Sequence, residues 1–283
     1  MTYKRFFAFG CSFCEYNWTT WADIVAAACP GAQYYNFGKG GGSNQLILSR
    51  VMEADSVFNF NKDDLVIVQW TSITRESRYI VDHWRGCGNV YNDNESYGED
   101  FYKYIDPLDY LIRDCAAIKA VHTLLEHKQC KFEFLSMVPI VKPESLARRA
   151  MNIDLGSTSN AQYLLKTYNT VLSRIKPSYL ETIFRGKFWP NPTKLTYSDG
   201  HPDPEQHLQY IEQVLPQVPV TDSIRALIQK DMEALINLPR IVEDNQPGKA
   251  SQSWQLNVNA LWVKNQFCTV GNTVFRNDKG LRF

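Results

Sequence analysis

The sequence predicts an α/β fold with a mainly parallel sheet covered on both sides, followed by a C-terminal helical or extended appendage. Three observations carry this. Strand-like apolar runs alternate with helix-period segments from residue 4 to residue 215. The run "DLVIVQW" (64–70) is continuous and β-branched, as a strand buried on both faces would be. After residue 215 the alternation stops, and "DNQPGKASQS" isolates the end of the chain.

Taken in order, "KRFFAFG" (4–10) is an aromatic-rich apolar run ended by glycine, strand one. Thr20-x-x-Asp23 resembles a capping box opening the helix "WADIVAAAC". "QYYNF" (33–37) is strand two, closed by "GKGGGSN". Ile47, Val51, Ala54 and Phe58 recur at helical spacing from Asn44 onward, and residues 64–70 form strand three.

Residues 75–106 break the rhythm. They hold Tyr79, Trp84, Tyr91, Tyr97, Phe101, Tyr102 and Tyr104 without a sustained period, which reads as a long insertion rather than a core element. It serves either as a hydrophobic flap or as an aromatic array that stacks on sugar rings. Leu108, Leu111, Ile112, Cys115, Ile118 and Leu125 then mark a helix, and "KFEFLSMVP" (131–139) a fourth strand. A helical stretch at about 159–175 and a short strand near "TIFRG" follow.

"DGHPDPEQHLQYIEQVL" (199–215) starts as a loop and ends as a helix, with Asp203 as N-cap and Pro204 in the first helical position. Residues 1–218 thus form the main domain and 219–283 the appendage. The latter holds an amphipathic helix over 222–238 and the strand-like "WQLNVNALWV" and "NTVFRN".

Lys+Arg and Asp+Glu each number 30, so no global basic footprint invites nucleic acid. Hydrophobic residues at 44% exclude wholesale disorder. The absence of an 18-residue apolar run or a signal-like leader predicts a soluble, cytoplasmic protein without a membrane partner.

Seven cysteines, several inside apolar runs, suit buried thiols better than a disulfide framework. Cys11 and Cys14 form a C-x-x-C pair, but a zinc site needs a second ligand pair. His122 and His127 alone have suitable spacing, on a helix whose other residues read as core. No metal or organic cofactor is expected. "GKGGGSN" lacks the G-K-[ST] of a P-loop, and Ser43 stands where G-x-G-x-x-G needs its third glycine.

Ligands of parallel α/β sheets bind outside the carboxyl ends of the strands. "GCSF", "GKGGGSN" and "QWTSITR" fall at such ends, and "DGHP" is a fourth loop of like character. A serine, a glycine-rich turn and a histidine preceded by aspartate are the parts of an acyl-transfer site, where a base activates the hydroxyl and fixed N–H groups hold the oxyanion. Each residue also has a plainer reading: Ser12 as a turn serine, Asp199 as an Asp-Gly turn former, His201 as a surface loop histidine, and His207 as packing.

Together, in this order, the four blocks resemble the SGNH (GDSL-type) hydrolases, which are esterases, lipases and carbohydrate O-deacetylases on a flavodoxin-like three-layer sandwich. The resemblance spans about residues 4–216. It implies Ser12 of Gly10-Cys11-Ser12 as nucleophile, His201 as base and Asp199 as its orienter. Asn36 and Gly41 match the second block, with the Gly41 N–H in the oxyanion hole. Ser72 occupies the place of the family's oxyanion-donating asparagine. Cys11 replaces the aspartate of G-D-S, and Asp199 lies two residues before His201, closer than the usual D-x-x-H. Trp70 and Arg75 are expected at the substrate.

The implied activity is hydrolysis of an O-acyl ester, acetyl being the simplest, on a carbohydrate or similar polar substrate. The pattern is also similar to SGNH-like proteins of tailed phages and bacteria. The alternative is therefore a binding or structural protein, possible in a virion, that keeps the fold without turnover. A third reading is a thiol oxidoreductase working through Cys11 and Cys14.

Overall fold

The computed structural model describes residues 2–80, 83–90, 101, 104–140, 158–186, 200–237 and 273–276. In chain order the elements are β1 (Arg5–Phe9), α1 (Trp21–Ala27), β2 (Gln33–Asn36), α2 (Asn44–Phe58), β3 (Asp64–Trp70), β4 (Arg75–Ile80) and β5 (His83–Asn89). After them come α3 (Pro107–His127), β6 (Lys131–Ser136), α4 (Ser159–Thr167), α5 (Asn169–Leu172), α6 (Tyr179–Thr182), α7 (Pro204–Val214), α8 (Asp222–Ile236) and β7 (Thr273–Arg276).

Five strands form one sheet in the order β6-β3-β1-β2-β7, and all four pairings are parallel. Every residue of β3 is buried, because helices cover both faces. α1, α7 and α8 share a core with Phe6 and Tyr34, whereas α2 and α3 pack on Phe7, Phe9, Val66 and Val68. The aromatic Phe7 meets Tyr35 at 4.8 Å and Phe60 at 4.7 Å between ring centroids. Burial of a phenylalanine of this kind contributes about 2–3 kcal/mol. At the start of β1 a two-pronged pair joins Arg5 to the buried Asp64 at 2.6 and 2.7 Å, fixing the register of β1 against β3.

The chain leaves β1 for β2 on one side and returns to β3 on the other. At such a reversal parallel α/β sheets bind their ligands, and here the loops bearing Ser12 and Ser72 emerge from the carboxyl ends of the neighbouring strands β1 and β3.

Two expectations change. Within 75–106, residues 75–80 and 83–89 pair as an antiparallel hairpin, β4–β5, where no regular element was expected. At 182–186 the helix α6 ends and the chain turns instead of forming a strand. Of the C-terminal segment, α8 and β7 are described. Ile224, Ile228, Met232 and Leu235 of α8 join the core of α1 and α7, and β7 pairs with β2. Among the described residues no helix is long and apolar enough to cross a membrane.

Candidate active site

The turn after β1 is built around a close approach. A Cβ on Gly10 would lie 2.7 Å from Cys14 Cβ and 3.2 Å from Gln69, so only glycine fits there without displacement. The N–H groups of Cys14 and Glu15 both donate to Cys11 O, at 3.0 and 3.3 Å, and Ser12 sits inside this tight turn. Ser12 is 6% exposed. Among the described residues no hydrogen bond engages its hydroxyl or its backbone N–H. Both thiols of the C-x-x-C pair face the interior. Cys11 Sγ lies 3.8 Å from Met137 Sδ, and Cys14 Sγ donates to Asn36 Oδ1 at 3.3 Å.

Asn36, at the end of β2, ties this turn to the glycine loop. Its Nδ2 donates to Cys14 O at 3.0 Å and its Oδ1 accepts from Gly38 N at 2.9 Å. Lys39 N donates to Gly10 O at 3.0 Å, so the loop runs beside the Ser12 turn. From below, the buried Arg50 of α2 donates through Nη1 to Phe37 O at 3.0 Å and Gly38 O at 3.4 Å. Burial pushes its pKa down to about 10, which leaves it charged at neutral pH. Gly41 has a φ of 69°, the left-handed region that favours glycine, and its N–H also has no partner among the described residues.

His201 reaches this place from the far end of the domain. Asp203 caps α7, accepting from Gln206 N at 2.8 Å, and Pro204 opens the helix. The imidazole just ahead of the cap stacks on Tyr16, with ring centroids 4.0 Å apart and planes 17° from parallel. It also meets Phe13 edge-on at 5.7 Å. Trp18 Nε1 donates to Pro202 O at 2.8 Å. The His201 loop therefore rests on residues 13–18, which directly follow Ser12. Among the described residues no hydrogen bond joins Ser12 to His201. Asp199 lies outside the described residues. His207 is buried and pairs with Tyr179 OH at 2.7 Å, and burial pushes its pKa well down, as suits a neutral packing residue.

The turn after β3 is clamped by Asn44. Thr71 N donates to Asn44 Oδ1 at 2.8 Å, and Asn44 Nδ2 donates to Thr71 O at 3.0 Å and to Asp114 Oδ2 at 2.6 Å. Burial pushes the Asp114 carboxyl up to about 7, against the lowering effect of the Asn44 hydrogen bond. Ser72 Oγ lies 2.8 Å from Thr74 Oγ1 and accepts from Thr74 N at 3.4 Å. Arg75 opens β4, is half-buried, and holds Ser72 O through its backbone N–H at 3.2 Å. Trp70 is the last residue of β3. It is fully buried, edge-on to Phe134 at 5.6 Å, because both faces of that strand are covered.

No protein-family model matches the chain, and no curated protein does. Similar solved structures include a member of the lipolytic protein G-D-S-L family from Veillonella parvula DSM 2008. It is 11% identical, with a TM-score of 0.40, over 75% of this chain and 98% of that one. A catalytic mutant of an acetylxylan esterase from Geobacillus stearothermophilus is 12% identical, with a TM-score of 0.43, over 77% and 95%. A GDSL-like lipase from Bacteroides thetaiotaomicron VPI-5482 is 14% identical, with a TM-score of 0.39, over 79% and 88%.

Four supporting residues escaped the sequence reading: Asn44, Arg50, Asp114 and Asp231. Asp114 left a signal, a carboxylate inside the apolar stripe of "LIRDCAAIKAV". Asp231 left none visible locally. From α8 its Oδ2 accepts from the N–H (3.3 Å) and the hydroxyl of Thr19, beside Trp18, and burial pushes it up to about 6.

Proposed function

We propose that this chain is a serine esterase of SGNH type that removes an acyl group, acetyl in the simplest case, from a carbohydrate or similar polar substrate. One observation carries the reading. The Ser12 turn and the His201 loop meet through the Tyr16 stack and the Trp18–Pro202 bond, while the N–H groups of Ser12 and Gly41 have no partner among the described residues. Unpartnered backbone donors of this kind suit a developing oxyanion.

In this reading Ser12 Oγ attacks the ester carbonyl as His201 takes its proton. The tetrahedral oxygen is held by the N–H groups of Ser12 and Gly41. His201 then gives the proton to the departing alcohol, and a water, activated by the same imidazole, releases the acid and regenerates Ser12. Asp199 orients His201, and Arg75 lies near enough in sequence to the Ser72 turn to meet the substrate. The test is hydrolysis of p-nitrophenyl acetate by wild type and Ser12→Ala. A Ser12-dependent rate supports the reading; equal rates, or none in either, sink it.

A second reading, a binding protein of the same fold without turnover, is favoured by Ser72, whose hydroxyl is engaged with Thr74 where the family places a free amide donor. A fluorophosphonate probe separates the two, since it labels an activated Ser12 and leaves an inert one unmodified.

A further inference from the structure

The β4–β5 hairpin bears directly on the glycine loop. A Cβ on Gly86 would lie 2.5 Å from Gly40 O and 3.0 Å from Gly41 C, and Ser43 N donates to Ser77 Oγ at 3.0 Å. Ser77 and Gly86 are a cross-strand pair, so one face of the hairpin is the face laid on this loop. Side chains two residues apart along a strand share a face. The next pair on that face is Tyr79 opposite Trp84. These rings stand edge to face, with centroids 5.6 Å apart and planes at 80°. Tyr79 is 61% exposed and Trp84 is half-buried. The pair lies one strand step, about 7 Å, beyond the contact with Gly40 and Gly41.

Of the cations of the hairpin, Arg78 and Arg85 pair across the strands and His83 pairs with Ile80, and both pairs alternate to the opposite face. Arg75, two residues before Ser77, shares the face of Ser77 but at the end away from Tyr79. Beyond Ser77 and Gly86 that face is aromatic and uncharged. Tyrosine and tryptophan offer a rigid apolar body with a polar tip. That matches a neutral pyranose ring, apolar on its C–H face and polar at its hydroxyl rim, better than a phosphate-bearing ligand.

We propose that Tyr79 and Trp84 form a stacking subsite for a neutral sugar ring of the alcohol part of the substrate, beyond the unit that carries the ester. The proposal rests on the esterase reading for its biological sense, but not for its test. Cellohexaose, xylohexaose and chitohexaose are titrated into the full-length Ser12→Ala protein, followed by calorimetry and by tryptophan fluorescence. Saturable binding of at least one is expected, weakened about tenfold or more by Tyr79→Ala or Trp84→Ala and largely retained by Trp84→Phe. No saturable binding of any of the three, or binding that both alanine variants leave unchanged, overturns the subsite. Because no turnover is involved, a wild type inert toward p-nitrophenyl acetate would count against the esterase while leaving this test intact.

Discussion

Tyr16 covers one face of His201, their ring planes 17° apart at 4.0 Å. A stacked ring limits how the imidazole rotates, so the general base in the proposed mechanism is held in place by a residue four positions after Ser12. Such pairs contribute about 0.5–1.5 kcal/mol beyond their buried area. Tyr16→Ala should lower kcat for p-nitrophenyl acetate by about tenfold with little change in KM, and Tyr16→Phe should restore most of it. A loss confined to KM would mean that Tyr16 touches substrate rather than positioning the base.

Stability should fall as the solution becomes alkaline. Burial raises Asp114 to about 7 and Asp231 to about 6, both above the ordinary carboxylate value near 4. A raised folded-state pKa favours the protonated fold, so the contribution is complete below about pH 4 and is lost as pH rises through 6 and 7. Thermal melting should therefore move down between pH 5 and pH 8. In Asp114→Asn the slope should flatten, with a gain over wild type at pH 8 of up to a few kcal/mol. An Asp114→Asn protein less stable than wild type at pH 8 would show that the ionised carboxylate is the stabilising form.

Gly86 has no room for a side chain, its neighbours being backbone atoms of Gly40 and Gly41 that cannot rotate away. Gly86→Ala should lift the hairpin from the loop at a cost of about 1–3 kcal/mol. It should also depress ester hydrolysis, because the Gly41 N–H moves with its loop. Melting and activity both at wild-type level would mean that the hairpin is not clamped as described.

Cys14 is fully buried and its thiol donates to Asn36. A hydroxyl can make the same bond, so Cys14→Ser should keep hydrolysis within about threefold and cost about 1 kcal/mol or less. Abolished activity would revive a thiol mechanism through Cys11 and Cys14.

The strands and helices that bury apolar runs were legible residue by residue. β3 and α2 have the bounds their β-branched run and helical spacing indicate, and the Asp203 cap sits where the sequence puts it. The hairpin was hidden because "RESRYI" and "HWRGCGN" bury no continuous apolar face; they are held by backbone pairing and by Gly86 against the glycine loop. Trp70 was ambiguous for the opposite reason: in a strand buried on both sides, alternation cannot say which side chain points to which face. The link from Asp231 to Thr19 spans 212 residues of sequence, and neither residue advertises it locally.

The parallel ladder between β2 and β7 has a kinetic side. Tyr34 and Asn36 meet Thr273 and Arg276, so the outer edge of β2 stays open until residues 273–276 have been made and have come back to it. Closing so long a loop costs little more than closing a moderate one, which places the burden on the speed of folding rather than on final stability. Meanwhile an unpaired edge is a template for a strand from another molecule. Refolding yield should accordingly fall as protein concentration rises, with the loss setting in before the slowest folding phase is complete. A yield independent of concentration would indicate that the edge is protected early.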